Sequence, residues 1–224
     1  MKKIQIILIA LIFLLPIQGN SQRKRDKQKD NAKTENVLLN AFKLRNVGPA
    51  LLSGRIADIA IHPNDESTWY IAVGSGGVWK TQNAGTTWNP IFDSQPTYSI
   101  GSITIDPSNT NTIWVGSGEN VGGRHVGYGD GVYKSTDGGK TWKAVLTVDE
   151  HTGVNDVVMD PRHPEVLYAS TFQRRRHVYT YVGGGPGSGL HKSTDGGETW
   201  TKIQNGLPTT ELGRIGLAIS PANP

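Results

Sequence analysis

The 224 residues include no cysteine and carry 23 Lys/Arg against 19 Asp/Glu, a formal net charge of +4. The missing thiols exclude disulfide staples, thiolate metal sites, a cysteine nucleophile and a lipid-modified N-terminal cysteine. Lys2, Lys3 and the basic stretch 22–35 account for more than the whole positive balance. The remaining body therefore lacks the broad field that phosphate backbones require, and with no nucleic-acid motif in it, a nucleic-acid partner is not expected.

Taken from the start, Lys2 and Lys3 precede a run at positions 4–17 that is apolar apart from Gln5 and broken at Pro16, with the small residues Gly19 and Ser21 behind it. This pattern predicts a signal peptide over 1–21, cleaved after Ser21. The run is shorter than the roughly 20 residues a spanning helix needs, so no membrane anchor is expected in the mature chain, which is secreted or held in the periplasm or cell envelope. The stretch QRKRDKQKDNAKTE that follows has one alanine as its only apolar residue and opens a disordered basic leader over 22–41.

From there to the end the sequence repeats itself. The copies span about 55–92, 99–146 and 153–203, with a partial one at 213–224, and the aligned Trp88, Trp142 and Trp200 are 54 and 58 residues apart. Each copy begins with a short apolar run: Ile56, Ile59 and Ile61, then Ile100, Ile103 and Ile105, then Val154, Val157 and Met159. A proline closes every run (Pro63, Pro107, Pro161, Pro221), as expected where a strand leaves its ladder. A second strand (WYIAV, TIWVG, VLYAS), a third (GVWKT, GVYKS, GLHKS) and a fourth after a tight turn complete an antiparallel four-stranded unit. The fold class read from this is all-β, a propeller of four-stranded blades over 42–224, with three blades and one further strand present.

The turn before the fourth strand reads STDGGKTW at 135–142 and STDGGETW at 193–200. So sharp a reversal needs residues tolerant of positive φ, supplied by Gly139 and Gly197 and the glycines before them. Asp137 and Asp195 can accept backbone N–H bonds inside the loop, Ser135 and Ser193 can add a hydroxyl, and Trp142 and Trp200 can cover it. These side chains are assigned a structural role at the outer rim. The first copy, TQNAGTTW at 81–88, keeps glycine and tryptophan but has Asn83 for the aspartate.

These octapeptides resemble the Asp-box, or BNR, repeats of sialidases, of the two-propeller glycosidases that hydrolyse xyloglucan, and of sortilin receptors. FKLRNVGPALLSGRIADIAIHPND followed by VGSGGVWKTQNAGTTW is similar to large secreted bacterial proteins of the sortilin-N-terminal-like, BNR-repeat glycosyl hydrolase kind. Since a propeller hides its sheet edges by closing a ring of about four to eight blades, three blades predict a piece of a larger propeller, with the remaining blades of the same chain as partners.

Function is expected on the loop face, where the second copy inserts ENVGGRHVGYGD and the third inserts FQRRRHVYTYVGGGPGS. The candidate ligand-binding residues are Arg55, Glu119, Arg124, His125, Tyr128, Asp149, Glu150, Arg174, Arg175, Arg176 and Tyr179, joined by Asp130, His177, Tyr181 and Arg214. Arginines and tyrosines suit carboxylates, sugar hydroxyls and sugar rings, so a peptide or carbohydrate ligand is expected. The primary expectation is a sortilin-like binding or scaffold propeller; the alternative is a sialidase-like or xyloglucanase-like glycoside hydrolase. No complete catalytic set is assigned: the resemblance to the xyloglucan group implies an aspartate just before a Gly-Gly pair, and Gly74 stands there. No cofactor or metal is expected, because the histidines show no close metal spacing, STDGG lacks the alternating ligands of a calcium loop, and GGGPGSG does not continue into a phosphate loop.

Overall fold

The computed structural model describes residues 54–120 and 127–222; the predicted signal and leader, and Arg124 and His125, lie outside them. Three antiparallel sheets follow one another along the chain. The first is β1 (Ile56–Ile61), β2 (Trp69–Val73), β3 (Gly77–Thr81) and β4 (Asn89–Pro90); the second is β5 (Ile100–Ile105), β6 (Ile113–Ser117), β7 (Val132–Ser135) and β8 (Lys143–Leu146). The third contains β9 (Thr152–Met159), β10 (Leu167–Arg176), β11 (Tyr181–Gly183), β12 (Gly189–Ser193) and β13 (Thr201–Ile203). The first two sheets, and β9, β10, β12 and β13 of the third, are the four-stranded blades of a β-propeller, with β11 pairing only with the far end of β10.

The opening strands do not alternate strictly, since the apolar residues fall at intervals of three and then two. The extra residue is a bulge, present at the same place in all three blades: between Ile56 and Asp58, between Ile100 and Ser102, and opposite Ser170 and Thr171. A bulge bends the strand and restores the apolar side chains to one face. The side chains so aligned fill the space between blades. Ile100, Ile103, Ile113 and Val115 of the second blade pack on Tyr70, Val78 and Phe92 of the first. Val154, Val157 and Leu167 of the third pack on Trp114 and Val132 of the second.

Two departures from the sequence reading bear on the loop face. The insertion after Thr171 is in part strand: β10 runs on past the blade, and Arg174, Arg175 and Arg176 pair with Gly183, Val182 and Tyr181 in a hairpin. Residues 213–222, expected to open a fourth blade, form no strand of their own. They are tied to β9 instead, where Asp156 Oδ2 accepts the Leu217 N–H (3.1 Å) and Asn155 Nδ2 donates to the Ile215 carbonyl (3.1 Å).

The rim turns bond as their sequence implies. Asp137 Oδ1 accepts from Ser135 Oγ (2.8 Å) and from the N–H groups of Lys140 and Thr141 (both 2.9 Å), and Oδ2 accepts Thr141 Oγ1 (2.7 Å). Asp195 repeats the set with Ser193, Glu198 and Thr199. Bonds led by those from Thr141 and Thr199 hold both carboxyls below the ordinary aspartate range.

Candidate functional site

The side chains with the most chemistry meet where the first strands of successive blades face one another. Glu119, just beyond β6, is fully buried, with its side chain 1% exposed. Burying a carboxylate requires a partner, and Arg55, from the chain entering β1, supplies one by pairing Nη2 with Glu119 Oε1. Arg174 on β10 donates from Nη1 to the Glu119 carbonyl (3.1 Å), and Arg214 donates to the neighbouring Asn120 carbonyl (2.7 Å). Three guanidinium groups from three parts of the repeat array thus hold one short segment of the second blade. Burial lowers the Arg174 pKa below that of an ordinary arginine.

Gly74 is part of this corner. A Cβ placed there would lie 2.8 Å from Glu119 Oε1, so the absent side chain leaves the space the Glu119 carboxylate enters. An aspartate at 74 and the observed Glu119 rotamer exclude one another.

Beside the cluster, a cleft of about 520 Å³ opens between the inner strands, lined in part by Asp58, Ser102, Asn120, Asn155, Asp156 and Arg214. Asn120 Nδ2 donates to the Gly101 carbonyl (2.7 Å) and Asn155 Nδ2 to that of Ile215, which fixes both amides. Their Oδ1 atoms, and Glu119 Oε2, are buried and accept no hydrogen bond among the described residues. Such acceptors suit hydroxyl donors, because a buried acceptor without a donor costs about 1–3 kcal/mol. Asp58 Oδ2 accepts the Ile103 N–H (2.9 Å) across the blade boundary, as Asp156 does for Leu217. Burial, reinforced by the charge of Asp58, raises the Asp156 pKa above the ordinary aspartate value.

The other predicted residues divide. Tyr128 is drawn in: its hydroxyl accepts the Arg176 N–H (2.9 Å) and donates to the Arg176 carbonyl (3.0 Å), and its ring meets His151 edge-on at 5.7 Å. Asp149 is taken up by its own turn, accepting from His151 N and Thr152 Oγ1 (both 2.8 Å). Glu150 points to solvent and pairs with His151. Arg175, Arg176 and Tyr179 belong to the projecting hairpin, where Arg176 lies over the Tyr181 ring and Tyr179 stacks on His177. Sequence reasoning missed Asp58, Asn120, Asn155 and Asp156. The available signal was a polar residue five positions before the closing proline, aspartate in the first and third copies, inside an otherwise apolar run. Among the described residues no group of three or more His, Asp or Glu could hold a metal ion, and no helix is long and apolar enough to cross a membrane.

The family model for the BNR/Asp-box repeat matches residues 133–144 and 191–202, the turns whose bonding is given above. The repeats are Asp-boxes. Similarity extends beyond them to the xyloglucanase Xgh74A of Acetivibrio thermocellus, 24% identical over 164 residues, or 68% of this chain and 18% of the relative. A xyloglucanase of Hypocrea jecorina is 24% identical over 179 residues, or 74% of this chain and 20% of the relative. Among solved structures, an ancestral GH74 enzyme superposes with a TM-score of 0.50 at 23% identity, covering 67% of this chain and 18% of its own. The Asp-box chain therefore spans about a fifth of the length of these relatives, and what it shares with the solved structure is the propeller fold.

Proposed function

We propose that this Asp-box propeller acts on a plant-type β-glucan outside the cytoplasm, as part of a glycoside hydrolase, and that the cleft between its inner strands holds the glycan. The observation that carries the reading is the convergence of polar side chains from successive repeats on that cleft. Two amide side chains (Asn120 and Asn155), a guanidinium (Arg214) and two carboxylates (Asp58 and Asp156) line it. Sugar hydroxyls donate and accept at once, which is the pattern such a lining serves. The similarity to xyloglucanases supports a glycan over a peptide, and the N-terminal signal pattern supports an extracellular site of action. The scaffold reading has no comparable support.

The test is to incubate the complete native protein with xyloglucan and with unsubstituted β-glucan, measuring bound glycan and new reducing ends. Release from xyloglucan is expected, with Arg214→Ala raising KM several-fold, as the loss of one hydrogen bond to a charged group does. Absence of both binding and release on every β-glucan tested overturns the proposal.

A further inference from the structure

Next to the cleft, where the second and third blades meet, lies a smaller cavity lined in part by Glu119, His151, Asn155 and Arg174. It leaves about 10 Å³ in which the centre of a water molecule can lie, enough for one water and too little for a sugar ring. Asn155 belongs to the walls of both the cavity and the cleft.

Three buried polar atoms on residues of this wall have no hydrogen-bond partner among the described residues: Glu119 Oε2, Asn155 Oδ1 and His151 Nδ1. Each side chain is held by its other polar atom. Glu119 spends Oε1 on Arg55. Asn155 donates from Nδ2 to the Ile215 carbonyl (3.1 Å), a bond that also decides which amide atom is the oxygen. His151 turns Nε2 to the Glu150 carboxylate (3.0 Å), the place for its proton, so Nδ1 of the neutral ring is an acceptor as well. The set is all acceptors. Buried acceptors are costly to leave without a donor, and the donor that meets these must fit the cavity.

The surrounding charge decides what kind of donor it is. Arg55 pairs with the Glu119 carboxylate, Arg174 donates from Nη1 to the Glu119 carbonyl (3.1 Å), and the charges of Arg55 and Arg214 both reach Arg174. Three guanidinium groups around one carboxylate disfavour a cation, while acceptor atoms disfavour an anion. A small neutral donor remains, and water is that molecule.

We infer that this cavity is a structural-water site, in which one water donates to Glu119 Oε2 and Asn155 Oδ1 together and so ties the second blade to the third. A water has two hydrogens for the three acceptors. The carboxylate and the fixed amide take them, since His151, whose side chain is 26% exposed, is the one that can turn toward solvent. The bridge also braces the cleft, because Asn155 and Asn120, the neighbour of Glu119, both line it. The inference stands on the buried atoms and does not depend on the glycan reading.

A crystal structure of the complete native protein, at a resolution that shows ordered water, tests it. One peak is expected at about 2.6–3.0 Å from both Glu119 Oε2 and Asn155 Oδ1. In Asn155→Leu, which removes the amide at similar volume, that peak should be lost while the Arg55–Glu119 pair remains. An empty cavity in the native protein overturns the inference, as does a side chain filling it or a peak at the roughly 2.0–2.4 Å of a bound metal ion. A peak that persists in Asn155→Leu overturns the bridge. Should the variant fail to fold, the native density alone decides.

Discussion

At the end of β3 the chain reverses through residues 81–88, and at the ends of β7 and β12 through 135–142 and 193–200. The bonding inside the turns is nearly the same. Asn83 Oδ1 accepts from Thr81 Oγ1 (3.0 Å) and Thr87 N (2.9 Å), and its Nδ2 donates to Thr87 Oγ1 (2.9 Å), in place of the hydroxyl that donates to Asp137. One bond changes partner: the N–H of Thr86 turns to the Asn83 backbone carbonyl (3.2 Å), where those of Lys140 and Glu198 reach the aspartate. The larger difference lies outside the hairpins. Gly139 and Gly197 lie against Ile91 and Trp114 of the preceding blade, while Gly85 touches only Trp69 and Trp88 of its own. Contact from the preceding blade thus falls on the second glycine of the box, the one that the first turn also keeps, as Gly85.

Alanine at the shared glycine separates these two demands. Gly85 and Gly139 both have positive φ (86° and 88°), so a side chain at either costs about 1–2 kcal/mol in backbone strain. At Gly139 the new Cβ would also lie 2.6 Å from Ile91 Cδ1, against 3.6 Å to the nearest atom at Gly85. Gly139→Ala is expected to cost about 3 kcal/mol in total, since overpacking adds roughly 1–3 kcal/mol to the strain, and Gly85→Ala only the strain. Urea denaturation of the two variants of the complete protein measures both. Equal losses would mean that contact between blades has no part in the box.

The hairpins and blade boundaries were legible because each is written within a few residues: a closing proline, a glycine at a reversal, apolar residues on one face. Even the bulges were on the page, in the three-then-two spacing of Ile56, Ile59 and Ile61, but a reading for simple alternation passes over them. The site was legible only as residue types. Arg55, Glu119 and Arg174 were each named from inserted or blade-opening segments, yet they meet only because three blades stack, and no periodicity relates positions so far apart. Asp58, Asn120, Asn155 and Asp156 escaped because a lone polar residue in an apolar run reads as a surface position until the next blade covers it. Asp149 and Tyr179 illustrate the converse: loop position and residue type nominated both, but one is spent on its own turn and the other lies on a hairpin that projects from the blade.

A smaller effect tests the charge. Asn83→Asp should give the Thr86 N–H the carboxylate acceptor that Lys140 and Glu198 already have, and stabilise the protein by about 0.5–1 kcal/mol near neutral pH. The sign with pH follows from Asp137 and Asp195, whose folded pKa lies below the unfolded value. Their contribution is complete above the unfolded aspartate pKa of about 4 and is lost as the pH falls through the folded value. The variant's advantage in Tm should therefore be present at pH 7 and shrink on acidification below about pH 4. A constant advantage would assign it to shape alone.

The smallest expected effect lies next door, at Ala84, the one non-glycine residue with positive φ (51°) among the described residues. Holding alanine there costs about 1–2 kcal/mol, and replacing it with glycine returns that strain but gives the unfolded chain about 0.4–1 kcal/mol of extra freedom. Ala84→Gly should thus stabilise by about 1 kcal/mol or less, seen as a shift in the urea midpoint at unchanged slope. The equivalent glycine of the second box, Gly138, has a Cβ position 3.5 Å from its nearest neighbour, Asn111, so space does not dictate glycine there, only φ (73°). Gly138→Ala should then mirror Ala84→Gly with the sign reversed and a similar size. A much larger loss at Gly138 would show that the carbonyl it offers to Lys80 depends on the glycine as well, and would move that position from the demands of the hairpin to those of the neighbouring blade.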